Sequence, residues 1–229
     1  MNNLTEQPHL KLTSLSEDDS VHILVDDNYK IEQPLELKRY NKCIIELGAG
    51  SKLQLRLTKH ISDLQLKLSE NSSLEFYQFA TQSQNENNNM SVEQKEGSSF
   101  AHLLVGLDNM NLTQNISIAL NGSGAEAELY GLQAVKDDEI VHQNVEIFHN
   151  VPHTKSNQLF KGILSDQAKA NFTGKIRIEK DAQKSEAAQL NKNLLLSKKA
   201  KVNTQPFLEI LADDVKCAHG ATTLSLIHI

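Results

Sequence analysis

GAGSKLQLRLTKHISDLQLKL, residues 48–68, holds two runs of strict alternation, KLQLRL from Lys52 to Leu57 and LQLKL from Leu64 to Leu68. Apolar side chains at every second position put one face of an extended strand into a core and the other into water. The first run follows the small residues AGS. That grammar of small turn residues and then an apolar position recurs as NSSL near Ser72, GSSF near Ser98, GSGAEA near Ala125, DQAKA near Ala168 and KKAKV near Ala200. Successive spacings are roughly 21, 26, 27, 43 and 32 residues, and the widest is close to two units. Strand, tight turn and strand at such a period describe the coils of a solenoid, and the fold class expected is all-β, a right-handed parallel β-helix. A single coil cannot close a core, so neighbouring coils must stack to pair backbone groups and bury the inward row. Leu, Ile, Val and Ala suit that narrow interior better than bulky rings, and the chain has no Trp and only 5% aromatic residues.

Outward from this core, strand-like text begins at VHILVDD, from Val21. The preceding MNNLTEQPHLKL is polar without a clean period and reads as a leader or the remnant of an N-terminal region. TQSQNENNNM, Thr81 to Met90, reads as a loop between coils.

Composition excludes several classes. A net charge of -6 argues against a nucleic-acid or anionic-membrane surface. The charge is uneven, with 12 basic and 7 acidic residues from Val151 onward against 11 and 22 before it. A basic C-terminal part suits an acidic partner or simply forms a solvated face. No apolar run approaches the roughly 20 residues that cross a bilayer, and no signal pattern opens the chain. Two cysteines, Cys43 and Cys217, make the reducing cytoplasm the expected location. Cys43, inside CIIEL, reads as a buried structural thiol.

ADDVKCAHGAT, Ala212 to Thr222, sets a thiol and an imidazole two residues apart. On a strand Cys217 and His219 share one face, with Lys216 and Ala218 turned away. Soft ligands at that spacing fit a metal or cluster site, although a closed site takes about four ligands and a catalytic one about three. The other reading is a buried thiol and a hydrogen-bonded imidazole. Asp213 and Asp214 either help hold the metal or cap a turn. His149 and His153 lie four apart around Pro152, which disfavours the helix that would align them for zinc, so a loop or coil-edge role is expected. Gln158, Lys161, Gln189 and Asn191 read as structural residues of coil turns.

From His149 onward, the blocks FKGIL, QLNKNLLLS, PFLEILADDVKC and AHGAT resemble the SufB/SufD family, the non-ATPase scaffold subunits of SUF iron–sulfur cluster assembly. SufB-type subunits carry a glutamate-histidine-glutamate string where this chain has Cys217, Ala218 and His219, so the resemblance is to the SufD type, with a SufB-like paralogue as the alternative. It implies a non-catalytic scaffold whose β-helix pairs with a SufB-like subunit. His219, and less directly Cys217, then serve a nascent iron–sulfur cluster shared at the interface. It also places SEAAQLNKNLLLS, Ser185 to Ser197, in the sheet, despite its helical propensity. Since no G-x-x-x-x-G-K-[ST] string occurs, ATP falls to a SufC-like ATPase that docks on a C-terminal helical region and whose motion rearranges the interface. The family's terminal helical domains are expected to be missing or truncated here, leaving an exposed edge open to a second copy of the chain.

LSLIHI, Leu224 to Ile229, departs from the family. The codons CTG TCT CTT ATA CAC ATC encode it and spell a transposon end used in sequencing libraries. The tail is therefore expected to be adapter-derived, with His228 no ligand, against the alternative of a short edge strand. The expected division is a leader over 1–20, a β-helix core over 21–223 and the tail over 224–229. Two other classes compete. A carbohydrate-active β-helix would repeat acidic and basic groups at the coil period, which this chain does not. A purely structural β-helix gives no reason for ADDVKCAHGAT.

Overall fold

Alternation like that of Lys52–Leu57 runs through most of the chain. In the computed structural model, residues 9–15, 19–31, 33–37, 40–58, 61–80, 83–107 and 110–226 are described. The strands are β1 (Leu10–Leu15), β2 (Ser20–Val25), β3 (Leu35–Leu37), β4 (Tyr40–Leu47), β5 (Lys52–Leu57), β6 (Ile61–Leu68), β7 (Ser73–Ala80), β8 (Ser83–Gln94) and β9 (Ser99–Leu107). They continue as β10 (Met110–Leu120), β11 (Glu126–Val135), β12 (Ile140–His149), β13 (Lys155–Leu164), β14 (Lys169–Ile178), β15 (Glu186–Leu195), β16 (Lys201–Ile210) and β17 (Lys216–Ser225). No helix occurs among the described residues. SEAAQLNKNLLLS accordingly supplies a strand, because at alternate positions it buries Ala187, Gln189, Asn191 and Asn193.

From β2 onward successive strands pass to opposite sheets. The even-numbered strands form one nine-stranded sheet with β1 at its edge, and the odd-numbered strands from β3 to β17 form an eight-stranded sheet. Apart from the antiparallel β1–β2 pair, neighbours run parallel. This is the parallel β-solenoid expected from the alternation. Within residues 1–20, which show no period, Leu10–Leu15 pair along β2 and bury Leu10.

Coil stacking aligns like residues. Ile118, Ile147 and Ile176 follow one another in register, as β12 turns Val141, Val145 and Ile147 inward and His142, Asn144 and Glu146 outward. Phe160 and Phe172 meet across the interior with centroids 5.1 Å apart. Coils lengthen along the chain, from 21 residues between Gln54 and Glu75 to 31 between Gln158 and Gln189.

Two expectations about the repeat are corrected. First, the small residues mark two different corners. Ser51, Ser72, Ser98 and Ala125 lead into β5, β7, β9 and β11, whereas Ala168 and Ala200 lead into β14 and β16 in the other sheet. The wide interval from Ala125 to Ala168 is therefore one coil, ending at the corner residue Thr154, plus the passage to the opposite corner. Residues at positive φ occur at both corners, such as Gly97 or Lys184 at one and Asp166 at the other, so both use similar text. At the first, the buried hydroxyls of Ser51, Ser72 and Ser98 donate to the carbonyls of Gly48, Ser69 and Lys95 at 2.6–2.7 Å. Corner backbones also stack, as in Gly97 N–H to Ser123 O at 2.9 Å.

Second, the polar tract from Thr81 to Met90 is not a loop. Thr81 and Gln82 lie outside the described residues, but Ser83–Gln94 form β8, parallel to β6 and β10. The asparagines satisfy one another between strands: Asn115 Nδ2 donates to Asn89 Oδ1 at 2.9 Å, and Asn144 Nδ2 to Asn115 Oδ1 at 2.8 Å. In-register parallel stacking makes such amide ladders favourable where an isolated strand would not be.

Candidate functional site

Register brings Cys217 and His219 to the same side of the solenoid wall. Among the described residues β17 is the last strand of its sheet and pairs with β15, placing Cys217 opposite Ala187 and His219 opposite Gln189. Ala187 and Gln189 both face the buried interior. Cys217 and His219 therefore continue the interior-facing row, separated by about 7 Å of strand. Cys217 is half-buried and His219 is exposed. Lys216 faces the other way and pairs with Glu186 at 2.8 Å.

Partial burial pushes the Cys217 thiol up, a backbone hydrogen bond at Ala187 pulling the other way. A metal binding there must displace a proton from a reluctant thiol. His219 supplies an imidazole nitrogen. Asp214 serves a turn: its carboxylate pairs with Lys184, its N–H donates to Gln183 Oε1 at 2.9 Å, and its carbonyl accepts from the Lys184 N–H. Asp213 is exposed beside it. Among the described residues no group of three or more His, Cys, Asp or Glu could hold a metal. Thiol and imidazole are donor types that iron accepts, and two of them are fewer than a closed or catalytic metal site takes.

Gln158, Gln189 and Asn191 are not turn residues. They sit on β13 and β15 and are buried, and Gln189 Nε2 donates to Gln158 Oε1 at 3.2 Å inside the solenoid. Lys161 is exposed on the outer face. Their signal in the sequence was polarity at inward positions of an alternating strand. His149 is likewise interior rather than at a coil edge: its Nδ1 lies 2.8 Å from Thr154 Oγ1 and its Nε2 2.9 Å from Ser156 Oγ. Burial lowers its pKa to about 4. His153 occupies the exposed turn at a φ of 60°, so the two histidines do not converge.

His102, which the sequence reading did not single out, is buried against Phe76 at 4.8 Å, with Nε2 3.1 Å from Gln78 Oε1. Its pKa is lowered to about 3 by desolvation. Cys43 is fully buried and its thiol pushed up to about 12. A shallow groove of about 430 Å³ runs across the coils over Glu126, Lys155, Glu186 and Lys216, and Cys217 lines it whereas His219 does not. Its ion pairs are solvent-exposed and worth little. Of the tail, Leu224 and Ser225 pair with Leu194 and Leu195, while 227–229, including His228, lie outside the described residues.

Residues 35–227 match the family model described as "SUF system FeS cluster assembly, SufBD core domain". The chain is 39% identical over 112 residues to an iron–sulfur cluster assembly SufBD family protein of Synechocystis, covering 49% of this chain and 25% of that protein. It is 38% identical over 128 residues to the iron–sulfur cluster assembly protein SufD of Escherichia coli, covering 56% and 30%. With SufD of Plasmodium falciparum the identity is 36% over 129 residues, covering 56% and 8%. The matched segments span less than a third of the length of these relatives.

Proposed function

The chain belongs to the SufBD core-domain family of the SUF iron–sulfur cluster assembly system, and from that premise we propose that it acts as a SufD-type, non-catalytic scaffold. Its solenoid pairs with a SufB-like subunit, and Cys217 and His219 contribute from this side to a shared site where iron and sulfide assemble into a cluster for delivery. The cluster is cargo rather than a resident cofactor. The observation that carries this reading is the placement of a thiol and an imidazole on one side of β17, inside the stretch that matches the SufBD core domain.

ATP hydrolysis falls to a SufC-like ATPase, and two unpaired thiols suit a reducing cytoplasm.

Co-expression of a full-length version, carrying the family's C-terminal helical region, with SufB-like and SufC-like partners, followed by anaerobic purification, tests the reading. The wild-type complex is expected to retain iron and sulfide, and His219→Ala to lose most of its iron while still assembling; Cys217→Ala is expected to lose less. Unchanged iron in His219→Ala would remove His219 from the site. Failure of the wild-type chain to assemble would overturn the pairing.

A further inference from the structure

The row that holds His219 continues inward through two amides. His219 is paired with Gln189, and Gln189 with Gln158, on strands about 4.8 Å apart. Gln189 Nε2 is spent on Gln158 Oε1, on the side away from β17. The other terminal atom, Gln189 Oε1, is buried without a hydrogen-bond partner in a side chain only 2% exposed. The amide is also held in place from across the interior. A Cβ on Gly174, in β14, would stand 2.0 Å from Gln189 Nε2, so the missing side chain at Gly174 is what admits the carboxamide there.

We infer that Gln189 is a positioning residue for His219: its buried Oε1, unpartnered in this structure, accepts a hydrogen bond from one ring N–H once the imidazole of His219 turns in along the row, and leaves the other ring nitrogen, with its lone pair, as the ligand. A ring nitrogen held as a donor fixes both the tautomer and the plane of the imidazole. Gln158 in turn orients Gln189, so the three residues form one relay running from the interior to β17. The inference rests on the proposed ligand role of His219, and its test is made without metal so that the two can fail separately.

The full chain, labelled with ¹⁵N-histidine and metal-free at mildly alkaline pH, would be followed by NMR, with His219→Gln assigning the resonance. A His219 ring N–H protected from solvent exchange is expected, with a nuclear Overhauser contact to the Gln189 side-chain amide. Gln189→Met keeps the length but removes the acceptor, and should speed exchange about tenfold or more. Gln189→Glu should retain the protection, and Gly174→Ala, which displaces the amide without changing it, should reduce it. An unprotected ring N–H in the wild type, or equal protection in Gln189→Met, overturns the relay. Should a variant fail to fold, the wild-type Overhauser contact alone decides. A protected N–H together with unchanged iron in His219→Ala would keep the relay and overturn the cluster-site role instead.

Discussion

Acidification from pH 7 to 5 is expected to destabilise the solenoid by about 4 kcal/mol, before most carboxylates titrate. His102 and His149 are buried among rings, an amide and hydroxyls, and their pKa values fall to about 3 and about 4. The unfolded chain would hold both imidazoles near 6.5. Between those values the unfolded state binds more protons than the folded one, so stability falls as pH falls. The contribution is complete above about pH 6.5 and is lost progressively down to the folded pKa values. One pH unit corresponds to about 1.4 kcal/mol per group, giving roughly 2 kcal/mol for each histidine at pH 5. Against a total stability of about 5–15 kcal/mol this is a large fraction.

Glu46, Glu186 and Glu209, whose pKa values are lowered by hydrogen bonds from lysines, contribute in the opposite range, below the ordinary carboxylate pKa. The window from 6.5 to 5 therefore isolates the histidines. Urea midpoints measured at several pH values should drop steeply there for the wild type and less for His149→Gln. A flat midpoint from pH 7 to 5 would show that neither imidazole is held neutral by burial.

Gly122→Ala should be the most damaging alanine substitution among the corner glycines. A Cβ at Gly122 would stand 1.9 Å from Glu96 N and 2.2 Å from Lys95 C, backbone atoms of the preceding coil. No rotamer can relieve that contact, so coils must separate where Asn121 N–H donates to Gln94 O at 2.8 Å. A cost of about 3 kcal/mol or more is expected. Since each coil contacts only its neighbours, the break should also divide the array into two blocks with separate transitions. Gly220→Ala is the control, because its Cβ would meet only Leu190 Cδ1, at 3.2 Å. Equal melting temperatures for the two variants would refute the stacking argument at Gly122.

The readings that hold from sequence alone are those set by neighbouring residues. Alternation in KLQLRL is a property of six consecutive positions, and it predicts a half-buried strand whatever lies beside it. Small residues after a positive-φ position announce a corner, and the two-residue spacing of Cys217 and His219 puts them on one face of any strand. Relations across coils are a different matter, because they join residues some 21 to 31 positions apart through stacking. Only the tertiary structure could decide that Asn89, Asn115 and Asn144 form a ladder instead of a loop, since each amide finds its partner in the next coil. Likewise Gln158, Gln189 and His149 look like surface or turn residues by type, and become interior ones because hydroxyls and amides across the coils meet both ring nitrogens of His149 and one amide atom of each glutamine. The local sequence thus determined the strand, the corner and the pairing of thiol with imidazole. The stacking of coils decided which polar groups could be buried and which residues of distant sequence lie side by side in one row.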